Sequence, residues 1–340
     1  MTSARLRRIT QDLHVWQPLT SGWGLANCGL LLSGNGTGAW IDCPYDTRLG
    51  SEFRALSSAL GADMINWLVV THGNGDHHWG AGVIPDAAII YTHETTSHIA
   101  HEPDPAALHA MAHEASDPDV VSWYVNQHFS RFDWRDAEVR APTITFSGDL
   151  QLRLGHSVVD LIQLRPAHTA GDLIAYFPQQ RVCFAGDIVF GTSNEHPGDT
   201  PVHWSGPLAS VIEGCERVLA TGATTIVPGH GPLLDREGVQ AHIRYLDGLR
   251  AASHALHAHG ATSLDAARQI IRSGQIAAVG LPERLAVTLA AEWAHLNGAP
   301  TPTMAEQILA LATLAWELAG PAPIVPQPRP EAAPAAVIRP

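Results

Sequence analysis

The sequence predicts a layered α/β fold, and three observations carry that prediction. Short β-branched runs recur between residues 13 and 231, glycine-containing turns separate them, and an amphipathic helix sits between two of them. The stretch that organises the rest is Leu68–Gly80, LVVTHGNGDHHWG, a buried strand that stops in two glycines, three histidines and an aspartate. Imidazoles and a carboxylate leaving one strand end suit a divalent metal with nitrogen and oxygen preferences. Gly73 and Gly75 permit the tight backbone that such convergence needs.

In chain order, LHVWQPL, CGLLLSG and GAWIDC read as strands between turns such as SGNGTG. Asp46–Leu60 has helical spacing at Leu49, Phe53, Leu56 and Leu60 and stops at Gly61. After the Leu68–Thr71 strand, Ala87–His93 is the next buried strand. Residues 94–135, rich in His, Ala, Asp and Pro, read as a helical insertion; it can serve as a lid over a substrate pocket, or as surface packing alone. TITFSG, LQLRLG, SVVDLIQL, LIAYF and RVCFAG return to strands, close enough for an antiparallel or mixed sheet. A helix over Pro207–Ala220 and a last strand, TTIVPGHG, close a main domain of residues 1–235. Residues 236–320 form a helical appendage, with helices at Gly238–His259, Ser263–Ser273, Pro282–Asn297 and Met304–Leu318. Residues 321–340 are dense in proline, an extended or disordered tail.

Composition narrows the function classes. A formal charge of −13 argues against nucleic acid and anionic membrane surfaces, leaving a small-molecule substrate as the expected partner and a homo-oligomer as an allowed state. All 20 basic side chains are arginine, so lysine Schiff-base chemistry is excluded. With the abundant alanine, that points to a GC-rich bacterial gene. Cys28, Cys43, Cys183 and Cys215 lie far apart without CxxC spacing, as reduced thiols do. The first sixteen residues lack the apolar run of a signal peptide, and no stretch approaches the roughly 20 apolar residues of a membrane span. A cytoplasmic location is expected.

Four segments share one grammar, a β-type run followed by a glycine-associated turn bearing His or Asp. They are VVTHGNGDHHWG (His72, Asn74, Asp76, His77, His78), QLRPAHTAGD (His168, Asp172), CFAGDIVF (Asp187) and IVPGHG (His230). Each alone is an ordinary turn; together, polar groups at successive strand ends converge on one rim of a sheet. As a set the segments resemble the metallo-β-lactamase superfamily, whose signature is HxHxDH after a strand and then single His, Asp and His ligands. The resemblance spans roughly Leu13–Leu234 and implies a four-layer αββα sandwich of two mixed sheets flanked by helices, with one or two metals at the sheet edge.

Carried over, the resemblance assigns His72 and His168 to a first metal position, Asp76, His77 and His230 to a second, and Asp187 to a bridge between them. Asp42 resembles a buried aspartate that orients the metal-loop backbone. His78 falls outside the matched ligands, as a supporting or surface group, and Trp79 reads as packing. Asn74 replaces the second histidine of the signature with a neutral, hard oxygen donor that is weak for zinc. One metal at the second position, with Asn74 placing water or substrate, two metals with the first held loosely, or iron are the resulting alternatives.

The resemblance implies a zinc hydrolase, of one or two ions, in which metal-bound hydroxide cleaves an ester, thioester, lactone or amide of a small molecule. Asp76 would orient the nucleophile and carry its proton, the catalytic role. Thioester or ester cleavage is the preferred case. An iron-dependent oxygenase, or a persulfide dioxygenase-like redox enzyme, and a non-catalytic metal-binding scaffold are the rivals. The loop Phe190–Trp204, with His196, His203 and Trp204, is expected to line the substrate entrance.

Overall fold

Side-chain alternation sorts the strands into two sheets with three hydrophobic layers between and around them. In the computed structural model, residues 4–115, 119–193, 198–274 and 279–320 are described. The first sheet holds β1 (Ala4–Arg8), β2 (Leu13–Pro18), β3 (Cys28–Gly34), β4 (Thr37–Ile41), β5 (Met64–Val69), β6 (Ala88–Thr92) and β7 (Ile144–Phe146) in chain order. Its first four strands pair antiparallel, and β4 to β7 pair parallel. The second sheet holds β8 (Leu150–Leu154), β9 (Ser157–Gln163), β10 (Leu173–Phe177), β11 (Val182–Phe190) and β12 (Thr225–His230). Its order is β12-β11-β10-β9-β8, with only β11 and β12 parallel.

On β4, Ala39 and Ile41 face the second sheet, while Trp40 faces the opposite way onto Phe53. The same period of two places Val182 and Phe184 between the sheets, and Cys183 and Ala185 against helices on the far side. Phe53 belongs to α1 (Thr47–Ala59), whose buried face packs outside the first sheet and whose N-terminus is capped by Asp46 accepting from the Leu49 amide. The expected four-layer αββα sandwich is therefore the fold.

The insertion is helical, as α2 (His93–Ile99), α3 (Pro105–His113) and α4 (Val120–Phe129). Past it come α5 (Leu208–Ala220), α6 (Arg236–Ala258), α7 (Ser263–Ser273), α8 (Leu285–Leu296) and α9 (Met304–Ala319). Ile188 of β11 and Val211 of α5 share one buried cluster with Leu246 of α6, Ile270 of α7 and Leu289 of α8. Residues 236–320 thus supply part of the outer layer itself. The proline-dense 321–340 segment and His196 lie outside the described residues.

One strand start and one whole strand depart most from the sequence reading. β5 begins at Met64, because Met64 and Asn66 are exposed around the buried Ile65 and the polar half of the strand hid its start. β1 was not foreseen; its Leu6 is flanked by arginines and packs only partly buried beside Trp16. Removing residues 236–320 would uncover the apolar face of α5 and β11, at about 25 cal/mol per Å² of apolar surface. A chain ending at residue 235 should lose cooperative thermal unfolding by circular dichroism. A sharp transition within 5 °C of the full chain would show that the helices are dispensable.

Candidate metal centre

Asp42 begins the site. It follows β4 in a left-handed conformation (φ 58°) that a non-glycine residue adopts only under constraint. Its carboxylate supplies that constraint, accepting from the Thr71 amide at 2.7 Å, the Thr71 hydroxyl at 2.8 Å and His77 Nδ1 at 2.8 Å. Two glycines make room for the convergence. Gly186 takes φ 52° where a Cβ would lie 2.7 Å from Thr71 Oγ1, and a Cβ on Gly229 would lie 1.8 Å from Asp187 Oδ1.

Four histidines then present the same nitrogen inward. The Thr71 hydroxyl donates to Asp42, so it accepts from His72 Nδ1 at 3.0 Å. His77 Nδ1 donates to Asp42, His168 Nδ1 to the Val202 carbonyl at 2.7 Å, and His230 Nδ1 to the Leu25 carbonyl at 3.1 Å. Each ring thereby keeps a proton on Nδ1 and turns Nε2 inward, the nitrogen that a histidine ligand offers. At His168 that nitrogen faces the Asn74 amide oxygen at 2.6 Å, two acceptors that only a proton or a cation between them reconciles. Around Asp187, His77 Nε2 is 3.2 Å from Oδ1, and His230 and His168 Nε2 are 3.2 and 3.5 Å from Oδ2. Asp76 Oδ2 is 3.4 Å from His230 Nε2 and 3.9 Å from His77 Nε2.

Two triads bring their ligand atoms within 4.8 Å of one another, His72–His77–Asp187 and Asp76–His77–His230. His72 Nε2, His77 Nε2 and Asp187 Oδ1 are buried without any hydrogen-bond partner. Orphaned acceptors at one point are costly unless a cation or proton fills the space. The donor set of imidazole nitrogens and carboxylate oxygens fits a divalent metal. The sharing differs from the assignment carried over in one respect: His77 stands in both triads, and its ring centre is 4.1 Å from that of His72. His168 joins through Asp187 and through Asn74.

Asn74 is held by the insertion. Its Nδ2 donates to Glu102 Oε1 at 2.6 Å, and His98 Nε2 shares that carboxylate oxygen at 3.0 Å. The amide oxygen is thereby turned inward, 2.6 Å from His168 Nε2. Asp172, beside His168 in sequence, accepts from the Thr169 amide and hydroxyl and so ties the turn that carries His168. His78 is buried and bonds the Gly73 carbonyl, bracing the metal loop, and Trp79 is buried against Tyr45 and Trp134. Trp204 does line the cavity. His203 does not: it is fully buried beside His168 and Phe190, while its neighbours Val202 and Trp204 line the cavity.

Burial depresses the proton affinity of His72 and of His168, the latter to about 4. Burial also acts against the His230 proton, but the Asp187 and Asp76 carboxylates outweigh it and hold it up to about 9. The same carboxylates, with Asp42, raise His77, so protons stand where a cation would.

The sequence pattern of the metallo-β-lactamase superfamily matches residues 21–233. The chain belongs to that superfamily. Among solved structures, a metallo-β-lactamase from Pontibacter korlensis superposes with a TM-score of 0.52 at 17% identity, over 72% of this chain and 99% of that one. The DIM-1 metallo-β-lactamase does so at 0.50 and 15% identity, over 72% and 96%. Both likenesses concern the fold. The 2,4-dinitroanisole O-demethylase subunit alpha of Nocardioides sp. (strain JS1661) is 26% identical over 204 residues, 59% of this chain and 51% of that subunit. The chain therefore spans about half the length of that relative. Among the described residues, no helix is long and apolar enough to cross a membrane.

The site residues that the sequence did not reveal are His98, Glu102 and Arg284. His98 and Glu102 have an i,i+4 spacing at α2, but nothing in the chain tells that they face Asn74. Above the centre lies a cavity of about 770 Å³ including its mouth, with Asn74, Asp76, His168, Asp187 and His230 on its floor.

Two outcomes are expected. In chelator-treated protein, His230 is protonated more readily folded (about 9) than unfolded (6.5), so its contribution is complete below pH 6.5 and is lost as pH rises through 9. The melting-temperature difference between wild type and His230→Gln should shrink between those values; a difference constant from pH 6 to 10 would contradict the assignment. Asp42→Ala should weaken zinc binding by about 10–100-fold in a chelator competition, as loss of a ligand-orienting carboxylate does.

Proposed function

We propose that the chain is a metal-dependent hydrolase that cleaves an ester, thioester, lactone or amide bond of a small molecule. The observation that carries this reading is the set of orphaned, buried acceptors on His72, His77 and Asp187, set at the floor of a cavity beside Asp76. The His72–His77–Asp187 and Asp76–His77–His230 groups would hold one or two ions, zinc by their donor chemistry. Such an ion would supply Lewis acidity and would lower the pKa of an adjacent water from roughly 15.7 to about 7.

The chain's own groups supply the rest. Asp76 keeps its carboxylate ionised, because His77 and His230 outweigh the burial that would protonate it. Its side chain retains 14% exposure against 5% for Asp187, so it reaches the cavity and can take a proton from water and return it to the leaving group. The Asn74 oxygen, fixed by Glu102, faces the same space and can orient a water or the substrate. Four buried, unpaired cysteines support a reducing, cytoplasmic setting, and the acidic chain supports a small molecule over nucleic acid as partner.

A second reading has its own support. The relative from Nocardioides is named an O-demethylase subunit, and the Asn74 oxygen beside Glu102 is a harder donor set than histidine, so ether cleavage or iron-dependent redox chemistry is the rival. Metal analysis of protein purified without added metal separates the two. One to two zinc per chain with turnover of aryl esters or thioesters is expected; stoichiometric iron with oxygen uptake would reverse the order. Asp76→Asn should lower kcat per bound metal by about 10²–10⁴-fold, and should also lower metal content, because Asp76 belongs to the Asp76–His77–His230 group. An unchanged kcat would remove Asp76 from the mechanism.

A further inference from the structure

The cavity above the metal centre is walled by aromatic rings from three parts of the chain: Trp23, Tyr45, Phe129, Phe190 and Trp204. Arg284 lies among them and is the one arginine on the cavity wall among the described residues. It sits just before α8, in the region beyond the superfamily match, and is 1% exposed. Its guanidinium carbon stands 3.9 Å above the Trp23 ring centre and 6.0 Å from that of Phe190.

This guanidinium is under-bonded. Nη1 reaches the Thr200 carbonyl at 3.3 Å and stands 4.0 Å from Asp199 Oδ2, beyond hydrogen-bond range. Nε has no partner. The adjacent carboxylates balance its charge without hydrogen-bonding to it, as Asp199 Oδ2 accepts from the Gly22 amide at 2.7 Å and Glu283 Oε1 from the Tyr124 hydroxyl at 2.8 Å. An arginine cannot shed its charge, and a buried fork of five donors with one long bond is costly unless something else completes it. The site faces a cavity, so a ligand can do so.

We infer that Arg284 is a specificity residue, binding a planar pair of oxygens, a carboxylate or nitro group, on an aromatic substrate held against the aromatic wall of that cavity. The fork geometry of a guanidinium matches two coplanar oxygens, and flat rings gain offset or edge contacts from aromatic walls. The inference rests on the reading of this cavity as the substrate site of a small-molecule enzyme. It adds the substrate class: an aryl compound with one such group, its scissile bond toward Asp76.

The test uses the full-length, metal-loaded protein and three probes with one ring, benzoate, nitrobenzene and benzyl alcohol, followed by ligand-detected NMR. Wild type should prefer benzoate and nitrobenzene over benzyl alcohol by about tenfold or more, the scale of a charge-assisted bond. Arg284→Gln should bring both ratios close to one, and Arg284→Lys, which keeps the charge without the fork, should fall between. Ratios within one variant are insensitive to a misfolded fraction. A wild-type ratio near one overturns the inference whether or not the variants fold. So does a benzoate preference that survives Arg284→Gln, which would mean that the carboxylate is read by the metal or that Arg284 only balances Asp199 and Glu283. The two readings fail separately: selective binding without turnover of any aryl ester or thioester defeats the hydrolase alone, and turnover without selectivity defeats the role of Arg284 alone.

Discussion

The Asp42 carboxylate is the constraint on which the rest of the site depends. It is 3% exposed, left-handed in backbone, and saturated by Thr71 and His77. Through Thr71 it also sets the His72 ring, so one carboxylate determines the tautomers of two inward-facing histidines. Burying it is tolerable because each bond is to a donor fixed by the adjacent strand end. Local backbone strain is thus exchanged for a metal loop that has one conformation rather than many.

The parallel arrangement of β4, β5 and β6, and of β11 with β12, explains why the polar residues meet. Strands running in one direction end on the same rim, so Asp42, the metal loop and His230 emerge side by side. The close backbone approach at Gly186 and Gly229 then lets Asp187 sit among four imidazoles instead of against β-carbons. Hydrophobic layers pack on either side of these strands and give their ends the rigidity that ligand geometry demands.

The surroundings of the metal centre are completed by the inserted and C-terminal helices. The amide of Asn74 is orientated by Glu102 at the end of α2, and the cavity wall is completed by Arg284 and by Met304, Ile308 and Leu311 at α9. Under the proposed function, metal-centre chemistry and substrate selection sit on separate parts of the chain. The strand ends hold the reactive groups, while the inserted and C-terminal helices shape what can approach them.

The sequence by itself determined a layered α/β fold, because period-two runs and glycine turns report strands locally, and the superfamily resemblance made it a four-layer sandwich. It also determined which strand ends carry His72, Asp76, His77, His168, Asp187 and His230, since those types cluster beside turns. Asn74 stood out only against the HxHxDH signature, where it takes the place of the second histidine. Tertiary structure decided what depends on proximity between distant segments: the sharing of His77 between two triads, the grip of Glu102 on Asn74, the burial of His203 beside His168, and the presence of Arg284 over Trp23. An isolated arginine in LPERL or a glutamate in HEPD has no local signature of such a role. Their function arises from packing across more than 25 residues for Glu102 with Asn74, and far more for Arg284, a separation that no periodicity encodes.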